Sequence, residues 1–412
     1  MKPKRVVVTG MAGISPIGMD WPTVSANLKA MRTGIRYMEE WDRYDGLLTR
    51  LGGPVSDFEK PDHYNRKAIR SMGRIALMAT RATELALEDA GLLGDPRIKD
   101  GRMGVAYGSS TGSPDAVRDF AQMLINDVTD GINANTYIKM MSHTAPVNIG
   151  VYFGLKGRVY TTSSACTSGS QGIGYAYEAI ASGRQTMMVA GGGEELCPTE
   201  AAVFDTLYAT STRNDQPATT PRPFDRDRDG LVIGEGAGTL ILEALDSALE
   251  RGAHIHAEIV GFGCNSDGTH VTQPQSAMMQ AALHAALDDA ELAPEAIGYI
   301  SAHGTATDRG DVAESHATFN IFGKRPLVSA MKSFTGHTLG ACGALEAWTA
   351  IHMMNEGWAH ATANLDNIDP DCADLNYIQG EAIALDTDYV MSNNFAFGGI
   401  NTSLIFKRWT GR

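Results

Sequence analysis

The stretch Thr161-Thr-Ser-Ser-Ala-Cys166-Thr-Ser-Gly-Ser170 lies between an extended, β-branched run, Arg158-Val-Tyr-Thr-Thr162, and a helix-like segment, Gln171-Gly-Ile-Gly-Tyr-Ala-Tyr-Glu-Ala-Ile-Ala181. Strand, small residues and then helix is the repeating unit of an α/β protein. A cysteine at such a junction faces unpaired backbone N–H groups and the positive end of a helix dipole, a setting that favours thiolate. Its small neighbours let a substrate backbone come close. Cys166 is therefore the candidate nucleophile.

Outward from this stretch, 45 glycines cluster after short β-like runs, the punctuation of an α/β fold. Strands are expected at Arg5–Thr9, Met103–Tyr107, Met187–Ala190 and Gly238–Glu243, and in the second half at His256–Val260, Ile297–Ser301, Pro326–Ser329, Tyr389–Met391 and Thr402–Phe406. Helical periodicity is strongest over Ala76–Ala90, Ser276–Leu287 and Ala344–Met354, with the methionine pairs of the last two as core filler. Strand, small residues and Gly-rich helix at Val159–Ile180 recur at Leu327–Ile351, each helix carrying a Glu-Ala pair. The echo points to two duplicated halves, residues 1–250 with the cysteine and residues 251–412 with the remaining chemistry.

The chain has 412 residues and can bury a large core. Its formal net charge of -14 disfavours nucleic acid as a partner, since phosphate needs a basic face. Five scattered cysteines form no C-x-x-C pair, which argues for a reducing compartment, with cytoplasm as the expectation, and against a disulfide scaffold or structural zinc. No apolar run reaches the length of a membrane span. The basic start and three valines of Met1–Gly10 are too short for a signal peptide and read as a first buried strand. The polar stretch from Thr210 to Asp229 reads as a loop-rich excursion whose mixed charges form a satisfied ion-pair network or a solvated face rather than a catalytic cluster.

Two of the eleven histidines stand in Gly-rich loops just past predicted strand ends. His303 lies in Ser301-Ala-His-Gly-Thr-Ala-Thr-Asp308, and His337 in Lys332-Ser-Phe-Thr-Gly-His-Thr-Leu-Gly340. Functional groups in α/β proteins gather at strand ends. A zinc site from Cys166, His303 and His337 lacks the short ligand spacing that zinc favours, so no metal is expected there.

Four motifs in order, Ser-Ala-Cys166-Thr-Ser, His303-Gly-Thr-Ala-Thr, Lys332-x-x-x-Gly-His337-x-x-Gly-Ala and Asn394-Phe-Ala-Phe-Gly-Gly-Ile-Asn401, make the chain resemble the elongating β-ketoacyl-acyl-carrier-protein synthases of types I and II. Gly191-Gly-Gly-Glu-Glu-Leu-Cys197 and Gly112-Ser-Pro114 resemble type I somewhat more. The resemblance implies the thiolase fold, five layers α-β-α-β-α from two duplicated halves. It implies acyl transfer to Cys166 and then decarboxylative Claisen condensation with malonyl carrier protein, in fatty-acid or specialised polyene or polyketide elongation. It places Phe397 and Cys166 as oxyanion donors in a gating loop with Phe395, Gly398 and Gly399. Lys332 and Glu314 become supports of the two histidines, and the histidine pair separates elongating enzymes from initiating ones, where asparagine matches His337.

By the same resemblance, Thr305, Thr307 and Thr272 match hydroxyls that hold the phosphopantetheine arm, and no redox cofactor is implied. Thr111 matches an acyl-pocket position, and its β-branched hydroxyl implies a restricted, slightly polar pocket. Glu346, Ser392 and Asn393 match a monovalent-cation site, although Ser301 replaces the asparagine of type I. Ala396 replaces a glycine of the gating loop, which implies a stiffer gate. Lys67 and Arg70 match positions that contact acyl carrier protein. Arg66, Arg70 and Arg74, spaced at i, i+4 and i+8, are expected on one face of a helix as a basic docking stripe. A homodimer, or a heterodimer with a related chain-length-factor-like subunit, is the expected assembly. The competing reading is a mainly structural carrier-protein-binding subunit.

Overall fold

The computed structural model describes residues 3–411. Its main sheet has eleven strands: β1 (Val6–Ile14), β2 (Met103–Gly108), β3 (Val159–Thr161), β4 (Met187–Glu194), β5 (Gly236–Ala244), β6 (Ala257–Ser266), β7 (Tyr299–Ser301), β8 (Leu327–Ser329), β9 (Asn376–Tyr377), β10 (Tyr389–Ala396) and β11 (Ile400–Arg408). Every expected strand is present, and several run further than their β-branched cores because glycines and small polar residues continue the ladder. Six helices matter to the site: α1 (Arg74–Asp89), α2 (Thr144–Phe153), α3 (Ser168–Ala181), α4 (Ser276–Asp289), α5 (Asp308–Phe322) and α6 (Cys342–Glu356).

The strand order is β9-β8-β7-β10-β11-β6-β1-β5-β4-β2-β3. Read outward from the β6–β1 junction, the order of pairing is the same on both sides. In the first half β3, β2 and β4 are parallel, and β5 and β1 join antiparallel. In the second, β8, β7 and β10 are parallel, and β11 and β6 join antiparallel. Within the sheet the halves join through the pairing of Val6 to Val8 with Ala257 to Ile259.

Helices α1 and α2 cover the outer face of the first half, and α4, backed by α5, that of the second. Between them lie α3 and α6, each touching strands of both halves and each other. The layers therefore run α-β-α-β-α, the thiolase-like mixed α/β architecture. A helix buried on all sides must be apolar or small all round. Helix α6 shows this: Leu345, Trp348, Ile351, Met353 and Met354 are all buried. The approach of α3 to α6 is closer than side chains allow. A Cβ on Gly343 would lie 2.7 Å from the Ser170 amide nitrogen, and one on Gly169 2.9 Å from the Gly340 carbonyl oxygen.

Two surface expectations meet different outcomes. The loop Thr210–Asp229 does pair its charges: Arg222 bonds Asp225 at 3.2 Å and Asp366 at 2.7 Å, while buried Arg228 bonds Asp369 and the Thr307 carbonyl. The basic stripe, in contrast, is not helical. Residues 66–71 form turns, and α1 begins only at Arg74, after Gly73. Arg74 is also committed elsewhere, binding Glu235 bidentately at 2.9 and 2.7 Å and the Val55 carbonyl at 2.8 Å. Spacing alone cannot reveal a partner more than a hundred residues away. Arg66, Lys67 and Arg70 remain exposed. Among the described residues no helix is long and apolar enough to cross a membrane.

Candidate active site

Three segments bring the chemistry to the ends of the central helices. Cys166 lies in a 3-10 turn, Ala165–Thr167, that runs straight into α3. Ala165 takes φ +50°, a strained conformation for a residue with a side chain, and it turns the chain sharply so that Cys166 leads the helix. His303 follows β7, and His337 follows the short helix Lys332–Thr335 after β8. The turn after His337 feeds α6, so the contact of α3 with α6 sets the cysteine against the histidine.

The Nε2 atom of His337 lies 2.9 Å from Cys166 Sγ. The two imidazoles stand edge to face, with centroids 5.2 Å apart. Each ring has its other nitrogen occupied by a donor. Lys332 Nζ donates to His303 Nδ1 at 3.1 Å, and the Leu339 N–H to His337 Nδ1 at 3.3 Å. An Nδ1 that accepts leaves the proton on Nε2 of a neutral ring, so both histidines present Nε2–H groups. Burial, followed by the positive charge of Lys332, holds both well below the ordinary histidine range. They are therefore neutral at pH 7.

Lys332 is itself buried and bound to Glu346 at 2.5 Å. Burial acts to lower its pKa, but Cys342 and Glu346 outweigh it and keep the ammonium charged. Asn394 completes the network, donating to Glu346 at 2.6 Å and standing 3.3 Å from His303 Nδ1. Glu314 accepts the backbone N–H groups of His303 and Gly304, both at 2.7 Å, and so pins the loop carrying the histidine. Burial pushes its carboxyl up to about 8 despite those two donors.

The thiolate expected from the helix junction is not the resting form. Burial pushes the Cys166 thiol up to about 11, opposed by Lys332 and by the backbone N–H groups of Phe397 and of Cys166 itself. Desolvation of the anion outweighs the helix terminus. These are the same two N–H groups that the resemblance assigns to an oxyanion hole.

Phe397 belongs to the turn joining β10 to β11, with Gly398 at φ +88° and Gly399 at φ +70°. Its ring packs on Phe204, with centroids 5.0 Å apart, while Phe395 stands 6.1 Å from the His303 ring. The turn is tied down from outside. Gly398 N–H donates to Val271, Asp267 N–H donates to Gly399, and Asn401 donates to Asp267 at 2.6 Å. Ala396 is the last strand residue and pairs with Ile400.

A cavity of about 530 Å³ opens from Cys166, His303 and His337 past Phe397 and Arg228, and Thr305, Thr307 and Thr272 all line it. The first two hydroxyls are 2.9 Å apart. Thr111 is not on this wall; it is exposed and donates to Glu200 at 2.9 Å. The thiol and ring nitrogens of Cys166, His303 and His337 lie within 4.8 Å of one another, near enough for one metal ion. The Lys332 ammonium beside them makes the cluster electropositive, the reverse of a cation site. At the monovalent-cation position both Glu346 oxygens are taken, whereas Ser392 Oγ and the Asn393 amide are buried without a hydrogen-bond partner among the described residues. Sequence reading did not find the roles of Asn394 and Cys342, whose thiol donates to the Cys166 carbonyl at 3.2 Å. Asn394 stood inside a motif already recognised, and its amide was the available signal.

Residues 3–248 match the model for the beta-ketoacyl synthase N-terminal domain, and residues 256–366 that for the C-terminal domain. The 3-oxoacyl-[acyl-carrier-protein] synthase 2 of Synechocystis is 38% identical, over 99% of this chain and 99% of its own. A crystal structure of a beta-ketoacyl synthase from Burkholderia phymatum superposes with a TM-score of 0.98 at 59% identity, over 99% of this chain and 100% of that one. The ishigamide ketosynthase/chain length factor superposes with a TM-score of 0.90 at 32% identity, over 99% of this chain and 100% of the matched chain.

Proposed function

This chain belongs to the beta-ketoacyl synthase family and is a condensing enzyme of the acyltransferase type, and on that premise we propose that Cys166, His303 and His337 carry out the two halves of its reaction. In the first half, Cys166 sulfur attacks the thioester carbonyl of an acyl carrier protein. The tetrahedral oxyanion takes the N–H groups of Cys166 and Phe397, and the carrier thiol leaves with the proton. In the second, malonyl carrier protein enters by the cavity lined by Thr305, Thr307 and Thr272. Its thioester oxygen accepts the Nε2–H groups of His303 and His337. The carbon–carboxylate bond breaks, CO2 leaves, and the electron pair moves into the enolate those donors stabilise. The enolate carbon attacks the acyl-Cys166 carbonyl, the new carbon–carbon bond forms, and sulfur departs as thiolate and takes a proton from water.

The observation that carries this reading is the pair of occupied Nδ1 atoms, which leaves two buried, neutral Nε2–H donors beside the nucleophile. Imidazolium at either place would release its proton to the enolate instead of only stabilising it. Ser392, Asn393 and Glu346 would hold a monovalent cation, which would supply fixed positive charge behind the histidines. Exposed Arg66, Lys67 and Arg70 offer an acidic carrier protein a basic patch on an acidic chain. The assembly is a dimer, either of two such chains or with a chain-length-factor-like partner; the likeness to the ishigamide pair supports the second. Intact-mass measurement after incubation with acyl carrier protein thioester should show one acyl adduct, lost in Cys166→Ala. A chain that takes no acyl group on Cys166 would be the structural subunit instead.

A further inference from the structure

Close to the active-site network stands a buried acid that takes no part in it. The helix Pro198–Asp205 carries Phe204 at the Cys166 cavity and, one turn earlier on the same face, Glu200. Glu200 is 5% exposed, and its Oε1 receives only the Thr111 hydroxyl, at 2.9 Å. Its Oε2 is buried with no hydrogen-bond partner among the described residues. The neighbouring Glu194 is the opposite case. It accepts from Ser109 at 2.7 Å, from the Ser110 N–H and hydroxyl at 2.7 and 2.5 Å, and from the Gly340 N–H at 3.1 Å. Thr111 Oγ1 touches both carboxyls, being 3.4 Å from Glu194 Oε1. Two carboxyls so close do not both ionise when buried. Burial pushes both carboxyls up, but Glu194 has the donors of Ser109, Ser110 and Gly340 to hold a charge, so Glu200 carries the proton, in line with the strong upward push that burial and Glu194 exert on it. A carboxylic acid with a free oxygen is both a donor and an acceptor.

An acyl group on Cys166 must leave the histidine side of the cavity clear for the second substrate. Among the apolar residues clustered with Cys166 are Ala201, Phe204, Leu339 and Cys342. On the helix that brings Phe204 to the cavity, Glu200 stands one turn away on the same face. We propose that Glu200 is a specificity-determining residue for the acyl chain held on Cys166, hydrogen-bonding an oxygen substituent, hydroxyl or carbonyl, so that oxygenated chains are preferred over plain hydrocarbon chains of equal length. Thr111 orients the carboxyl. A purely apolar channel would distinguish such chains weakly, whereas a buried polar group left unpaired penalises the chain that lacks the oxygen. The proposal rests on the acyl-transfer reading above and names the substrate class of that site.

The test uses carrier-protein thioesters of saturated straight chains and of the same chains with one hydroxyl at successive carbons, and reads kcat/KM for acylation of Cys166. For at least one hydroxyl position the natural enzyme should prefer the oxygenated chain by about tenfold, the worth of one hydrogen bond to a buried group. Glu200→Leu should bring that ratio close to one, and Glu200→Gln, which keeps a donor and an acceptor, should hold most of it. Thr111→Val, at an exposed position that folding tolerates, should lower the ratio by about threefold and decides the matter should Glu200→Leu not fold. No hydroxyl position preferred by more than about twofold, or an unchanged ratio in Glu200→Leu or in Thr111→Val, would overturn the proposal. Failure of the underlying reading looks different, as no thioester would acylate Cys166 at all.

Discussion

Lys332→Met is the sharpest probe of how the site keeps its histidines neutral. Lys332 Nζ stands 3.1 Å from His303 Nδ1. At that separation, with an effective dielectric of about 20, two unit charges repel by about 5 kcal/mol. That repulsion, added to burial, is what keeps a proton off Nδ1 and fixes the other on Nε2. Methionine keeps much of the volume and removes both the charge and the donor. His303 is a base held low in the native site, so its neutral form persists at ordinary pH and is lost only as pH falls through its depressed value. Without Lys332 that value rises towards the ordinary 6.5 or so, and the acid limb of malonyl decarboxylation moves to higher pH with it. At pH 7 the loss of a fixed, correctly protonated donor should slow CO2 release by about 10²- to 10³-fold. Acylation of Cys166 slows as well, because Lys332 also eases ionisation of the thiol. Removing one partner of a buried pair costs about 3–5 kcal/mol of stability, so Lys332→Met with Glu346→Gln is the companion variant, and a melting curve checks each. The assay is release of labelled CO2 from malonyl carrier protein across pH 5 to 9, a range set by the ordinary histidine value of about 6.5. An unmoved acid limb with decarboxylation within about twofold of natural would refute the reasoning.

Other substitutions test other parts. His303→Ala should block decarboxylation while leaving part of the Cys166 acylation, seen as an intact-mass adduct without CO2 release; unimpaired condensation would count against its role. Native activity should show no acid limb near pH 6.5, because both histidines are held well below that value; a pH–rate inflection there would show a titrating, solvated imidazole. Arg228→Ala strands buried Asp311 and half-buried Asp369 and should cost about 3–5 kcal/mol in denaturant unfolding, whereas loss below 1 kcal/mol or so would mark the network as a surface one. Asp267→Ala removes the carboxylate that holds Asn401 and the Gln275 N–H beside the turn that carries Phe397; KM for acyl carrier protein should change with kcat as the gate loosens, and unchanged kinetics would show that the turn holds itself.

What could be read from the chain depended on how local each signal was. Strand, junction and helix around Cys166 are contiguous, so an α/β protein and a candidate nucleophile are legible from a few dozen residues, while the thiolase fold needed the motifs spread along the whole chain. His303, His337 and Lys332 could be singled out because each follows a strand with small residues around it. The pairing of Lys332 with Glu346 was less accessible, since it joins two helices and matters only once both are buried. Arg66, Arg70 and Arg74 fail for the same reason in reverse. Their spacing is helical, but Gly73 delays the helix and Glu235 claims Arg74. The resting state of Cys166 misled because a helix terminus is visible in sequence whereas the desolvation that outweighs it is not. Glu200 and Thr111 are far apart along the chain, and nothing local distinguishes an acid that will be buried with a free oxygen from one on the surface.

The glycines between α3 and α6 bear on how this enzyme can be altered. Gly169 rests on the backbone of Gly340 and Ala344, and Gly343 on the Ser170 backbone and the Asn394 amide, with no room for a Cβ at either. The segments that carry Cys166 and His337 are thus held at a fixed approach, from which the two side chains meet at 2.9 Å. Variation in chain length or oxygenation of the product must come from the walls around Phe204, Glu200 and the Phe397 turn, where side chains leave room for adjustment. The joint in the middle has no slack to give, so one reaction can be kept while its substrates change.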